Sequence, residues 1–215
     1  MPAREVSLVA VSKTHPAEAV RTAFEAGQRA FGENYAQEGV AKIGELAALR
    51  KEGIEWHFIG PLQSNKAGLV ASQFDWVQSV DRMKIAQALS SRRKGEPLNV
   101  LVEVNVSGES TKGGIAPDEA LAFAMQVSKL PHLRLRGLMT IIENVSDETA
   151  QRRQFRALKQ LYDGGLDAGL RFDTLSMGMS GDFKVAIEEG ATMVRLGTAI
   201  FGGRVSRTPD LERAA

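Results

Sequence analysis

Val6-Ser7-Leu8-Val9-Ala10-Val11-Ser12-Lys13-Thr14 is the stretch on which the fold turns. Its short, continuous apolar run suits a strand buried on both faces of a parallel sheet. The residues that end the run separate two architectures. An open doubly wound sheet usually carries a glycine-rich phosphate turn after its first strand. Here the run closes in Ser12-Lys13-Thr14, with no glycine. Strand-like runs then recur at 30–31, 55–59, 76–80, 100–106, 135–140, 174–177 and 193–196. Helix-like stretches fill the gaps at 16–26, 34–52, 66–71, 82–93, 117–130, 147–170 and 181–189. Pro16 and Pro117 open two of them, and Gly27 and Gly190 stop the stretches at 16–26 and 181–189. Phe155, Leu158, Leu161 and Tyr162 share one helical face, and the Gly164-Gly165 pair behind them is expected to break or fray that helix. The alternation predicts an α/β fold, one (β/α)8 TIM barrel spanning residues 1–215 as a single domain.

Lys13 is the first residue that cannot follow its run into a core. Burial of its ammonium lowers the pKa toward a nucleophilic free amine. A desolvated lysine at a strand end is what a Schiff base with an aldehyde or ketone needs. Taken alone, a strand ending in a solvated charge explains it as well.

Composition narrows the function classes. The chain has 215 residues, 43% of them hydrophobic and 25% charged, as in a globular protein. Its 27 basic and 26 acidic residues leave a net charge of +1, which argues against a nucleic-acid surface. Arg92-Arg93-Lys94 reads as a solvated helix end. The absence of cysteine removes disulfides, thiolate metal sites and cysteine nucleophiles. No signal-peptide region or membrane span is visible, so a cytoplasmic protein without membrane contact is expected. No two histidines have metal-ligand spacing. His15 suits a helix-entry surface, His57 a core or loop anchor, and His132 solvent.

Polar, glycine-containing segments stand where strands should end: Gly32-Glu33-Asn34, Gly60 through Lys66, Asn105-Val106-Ser107-Gly108, Ser176 through Gly181, and Arg195-Leu196-Gly197-Thr198. In a barrel they gather on the C-terminal face, where active sites lie. Barrels often bind phosphate after strands seven and eight. Ser180 is placed either to cap a helix or to hold an anion. Gly197-Thr198 adds close backbone approach and a hydroxyl donor. Met177 and Met179 either line such a pocket or pack ordinarily. An amine with a phosphate cradle suggests a phosphorylated aldehyde.

The motifs Leu8 through Thr14, Phe31-Gly32-Glu33-Asn34 with Gln37-Glu38, Trp56 through Lys66, Leu175 through Ser180 and Met193 through Gly202 resemble those of the pyridoxal phosphate homeostasis proteins. That family shares its barrel with the alanine racemase N-terminal domain. The resemblance runs in order over nearly the whole chain. It implies that Lys13 forms the Schiff base with pyridoxal 5′-phosphate. It implies that Ser180, Gly197 and Thr198 hold the phosphate, that Arg195 faces the pyridine nitrogen and that Asn34 lies beside the ring. An arginine there disfavours ring protonation and subdues carbanion chemistry. The chain departs from many relatives at Gly181-Asp182, at Glu109 through Ile115, and in having only five residues before Val6.

These readings predict a cofactor-binding protein that buffers or delivers pyridoxal phosphate, without strong turnover of its own. PLP-accepting apo-enzymes are candidate partners. A monomer is expected, because the second domain of the resembling racemase, which supplies a tyrosine base, has no counterpart here. Of Tyr35 and Tyr162, only Tyr35 is expected near the strand-end face. The alternatives are a small PLP-dependent amino-acid racemase or related enzyme, a cofactor-free Schiff-base aldolase, and a purely structural module.

Overall fold

The eight apolar runs form eight parallel strands: β1 (Ser7–Val11), β2 (Ala30–Glu33), β3 (Glu55–Phe58), β4 (Trp76–Val80), β5 (Leu98–Glu103), β6 (Leu133–Met139), β7 (Thr174–Ser176) and β8 (Met193–Leu196). They close into a barrel in chain order in this computed structural model, which describes residues 5–109, 112–143 and 145–203. The seam pairs Ser7 with Met193 through Ala10 with Leu196. Ser110 and Thr111, part of one departure from the family pattern, lie outside the described residues.

Strand periodicity sorts the side chains into two layers. Val9, Trp76, Leu101, Met139 and Met193 form an inner cluster within the barrel. Residues of the opposite parity, among them Ala10, Phe31, Phe58, Val77 and Val100, pack outward with Val20, Phe24, Ile43, Val70, Ile85 and Leu89. These last six come from α1 (Ala17–Glu25), α2 (Ala36–Glu45), α3 (Ala67–Gln73) and α4 (Met83–Arg92). The other half is covered by α5 (Ala120–Val127), α6 (Glu148–Asp167) and α7 (Phe183–Glu188), with Ala124, Phe155, Leu158 and Ala186 against Val102, Leu138, Leu175 and Val194. Fully buried side chains such as Phe155 and Leu158 stabilise the fold by about 1.5–3 kcal/mol each.

Tertiary packing revises several local expectations. The helix expected over 34–52 stops at Glu45, and a 3₁₀ segment, Ala47–Glu52, follows the non-helical Leu46. That break turns both Leu46 and Leu49 into the core. α6 runs unbroken through Gly164-Gly165. A Cβ on Gly165 would lie 2.8 Å from Phe172 Cδ2, so this glycine admits the Phe172 ring against the helix. Arg93 is no simple solvated charge: its Nη1 donates to the carbonyls of Ala71 (2.7 Å) and Phe74 (2.9 Å) at the end of α3. One short helix, α8 (Thr198–Phe201), has no counterpart among the expected elements. Among the described residues, no helix is long and apolar enough to cross a membrane.

Candidate functional site

The site is built on four neighbouring strands, β7, β8, β1 and β2, at their C-terminal ends. β1 stops at Val11, and Lys13 sits just beyond it in a turn. Val9 and Val11 point inward: a Cβ on Gly32 would meet Val9 Cγ1 at 3.0 Å and Val11 Cγ2 at 3.6 Å. Lys13 continues that parity at the barrel mouth. It is half-buried rather than sealed.

Asn34 follows β2 on the adjacent position of the rim. Its Oδ1 is buried and has no hydrogen-bond partner among the described residues. The main chain of Gly60 lies against it, where a Cβ would be 2.7 Å from Asn34 Cα and closer still to the Asn34 carbonyl oxygen. Ser79 Oγ pins Gly60 by donating to its carbonyl at 2.6 Å. Glycine is required there by the close approach of two chains.

On the other side of Lys13, the loops after β7 and β8 converge. Arg195 N donates to Gly178 O at 3.0 Å, which ties the two strand ends together. Ser180 lies half-buried in the following turn. It does not cap α7: Asp182 precedes that helix, and its Oδ1 accepts from Met179 N at 2.6 Å. Gly197 runs close to β1, with a Cβ position 3.3 Å from Val11 O. The amides of Ile200 and Phe201 turn back to Gly197 O at 2.9 Å. The first-turn amides of α8, those of Thr198 and Ala199, have no carbonyl within the helix to bond and point out of its N-terminal end. Thr198 is exposed at that end, and His15 stacks on Phe201 at 5.2 Å, packing α8 against the Lys13 turn.

Below the rim lies a polar layer. Arg195, 3% exposed, donates from Nη1 to Ser176 Oγ (2.6 Å) and from Nη2 to Thr140 O (2.8 Å). Two of the five guanidinium N–H donors are committed in this way, one on each terminal nitrogen. Ser176 Oγ donates to Gln78 Oε1 at 2.7 Å, and Gln78 Nε2 donates to His57 Nδ1 at 3.0 Å. His57 is therefore a core residue, as its sequence position suggested, and it stacks on Trp76. Burial pushes the Arg195 guanidinium down to about 10, opposed by the Glu103 and Asp182 carboxylates. Burial, and then Asp81, push the Glu103 carboxyl up to about 7, against the pull of Arg195. Glu103 and Asp81 converge: a Cβ on Gly113 would lie 3.7 Å from both Glu103 oxygens and from Asp81 Oδ2.

The structure thus brings Lys13, Asn34, Ser180, Arg195, Gly197 and Thr198 to one end of the barrel. It does not include Met177, which is fully buried in the outer packing layer. Tyr35 stands 57% exposed on the rim, whereas Tyr162 is buried against Phe172. Glu103 escaped the sequence reading, although a carboxylate ending an apolar strand was its signal. So did Lys42, whose Nζ donates to Ser12 O and Glu33 Oε1 at 2.7 Å; Glu38, quoted there within a family motif but given no role, accepts from Thr14 N at 2.6 Å.

Residues 1–205 match the protein family described as alanine racemase, N-terminal domain. A pyridoxal phosphate homeostasis protein of Vibrio alginolyticus is 55% identical over 203 residues, covering 93% of this chain and 87% of that protein. The chain belongs to the family of pyridoxal phosphate homeostasis proteins. Another member, from Escherichia coli K12, is 51% identical over 205 residues, covering 93% of this chain and 86% of that protein. PipY of Synechococcus elongatus, solved with PLP bound, is 38% identical with a TM-score of 0.85 over 94% of each chain. The alanine racemase of Clostridium difficile shares the fold, with a TM-score of 0.76 at 17% identity over 97% of this chain and 55% of that one.

Proposed function

We propose that this pyridoxal phosphate homeostasis protein binds pyridoxal 5′-phosphate at the C-terminal mouth of the barrel, covalently through Lys13, and buffers or delivers it. When bound, the cofactor supplies an aldehyde with which a lysine amine condenses, releasing water. The chain's residues suit such a group. Ser180 Oγ, Thr198 Oγ1 and the first-turn amides of α8 offer donors for a phosphate. Gly197 leaves room for that approach because it has no side chain. Arg195 would present a fixed cation toward the ring nitrogen, disfavouring its protonation. Asn34, with its unpartnered buried Oδ1, would lie beside the ring. The carrying observation is that the lysine, the orphaned amide oxygen and the buried arginine stand at the ends of three adjacent strands, β8, β1 and β2.

The rim is open at Thr198 and Tyr35, both exposed. An open mouth suits release to an apo-enzyme more than sequestered turnover. Action as a monomer in the cytoplasm belongs to the same reading. Borohydride reduction of the cofactor-loaded protein followed by peptide mapping tests it. Label is expected on the peptide containing Lys13, and Lys13→Ala should abolish the visible band of lysine-bound cofactor. Label on Lys66 or Lys112 would overturn the assignment.

A further inference from the structure

The main chain on either side of Lys13 is gripped from α2. Before it, Ser12 O accepts from Lys42 Nζ at 2.7 Å as well as from His15 N at 3.1 Å. After it, Thr14 N donates to Glu38 Oε1 at 2.6 Å. The two grips are one network. Lys42 Nζ also donates to Glu38 Oε1 (2.8 Å) and Glu33 Oε1 (2.7 Å), and Ser12 Oγ donates to the same Glu33 oxygen at 2.6 Å. Glu33 and Lys42 are almost wholly buried, whereas Glu38 reaches the rim.

This arrangement is more than a tether between α2 and β1. Thr14 has φ of +67°, a left-handed conformation that a β-branched residue rarely adopts. Such a backbone persists where its surroundings over-determine it. Here the Thr14 amide is held by a carboxylate and the Ser12 carbonyl by an ammonium, so the backbone direction at Lys13 is set at both ends. A free turn would let a long, rotamer-rich side chain sample the open mouth.

We propose that Glu38 is a positioning residue for Lys13: it holds the strained turn through the Thr14 amide while Lys42, seated on Glu33, holds the Ser12 carbonyl. The proposal rests on the reading of Lys13 as the covalent anchor. Its consequence is specific to capture of the aldehyde. The phosphate donors sit on the loops after β7 and β8, outside the grip.

The test compares two ligands on the full chain: pyridoxal phosphate, and its analogue with a methyl group in place of the aldehyde. Glu38→Ala should weaken pyridoxal phosphate binding about tenfold, the equivalent of one charge-assisted hydrogen bond. Analogue affinity should change less than about twofold. Glu38→Gln should bind pyridoxal phosphate within about threefold of the parent, because its amide oxygen still accepts from Thr14 N–H. Glu38→Met keeps the stem without the oxygens and replaces Glu38→Ala if that variant does not fold, with the same expectation. Equal losses for both ligands, or no loss for either, would overturn the proposal. Lys13→Ala separates the anchor from its positioning. If it keeps the visible band, the anchor assignment itself fails. If it loses the band while Glu38→Ala binds like the parent, only the positioning role fails.

Discussion

Glu103→Gln should flatten part of the pH dependence of stability in the cofactor-free protein. Glu103 lies within electrostatic reach of Arg195 and Asp81, and its carboxyl is pushed from 4.5 to about 7, chiefly by burial. A carboxyl whose folded pKa lies above its unfolded pKa binds its proton more tightly in the fold. Its contribution is therefore fully present below pH 4.5 and is lost as the pH climbs through about 7. The displacement, at about 1.36 kcal/mol per pH unit, amounts to about 3 kcal/mol. About 2.5 kcal/mol of that falls between pH 5 and pH 8. Glutamine is close in shape to the protonated acid and does not titrate. Urea unfolding at a series of pH values between 5 and 8 should show the variant gaining on the parent as pH rises, by a total of that order. Asp81 and Asp182 titrate in both proteins, so they cancel in the difference to first order. Parallel stability profiles for parent and variant across this range would contradict this account, because they would mean that Glu103 is as well solvated in the fold as outside it.

Two further predictions address the rim. Ser180→Ala with Thr198→Ala should weaken pyridoxal phosphate binding by roughly 1.5–3 kcal/mol per charge-assisted hydrogen bond lost, with little change for unphosphorylated pyridoxal in the same titration; equal losses would point away from the phosphate. Gly60→Ala should displace Asn34, because its Cβ position lies 2.7 Å from Asn34 Cα. Its cost to stability should be about 1–3 kcal/mol by thermal unfolding, accompanied by weaker cofactor binding, and unchanged binding would remove Asn34 from the site.

Local pattern alone was enough for the architecture. Eight short apolar runs separated by helix-like stretches pointed to eight buried parallel strands covered by helices, and the missing glycine-rich turn after the first favoured a closed barrel over an open sheet. The rim needed the family resemblance as well. Strand ends in a barrel gather at one mouth whatever their separation in sequence, so Lys13, Asn34, Ser180, Arg195, Gly197 and Thr198 could be named from position and family resemblance. What sequence could not decide were the pairings and the burial created by closure. Lys42 meets Ser12 O across 30 positions, and Arg195 meets Thr140 O across 55. Glu103 has an ordinary carboxyl until Asp81 and a low-dielectric interior surround it. The helix over 34–52 breaks at Leu46, where packing places both Leu46 and Leu49 in the core, while α6 survives Gly164-Gly165 because Phe172 packs against it. Propensity and periodicity act within a few residues, whereas desolvation, ion pairing and side-chain fit depend on neighbours that only the closed barrel supplies.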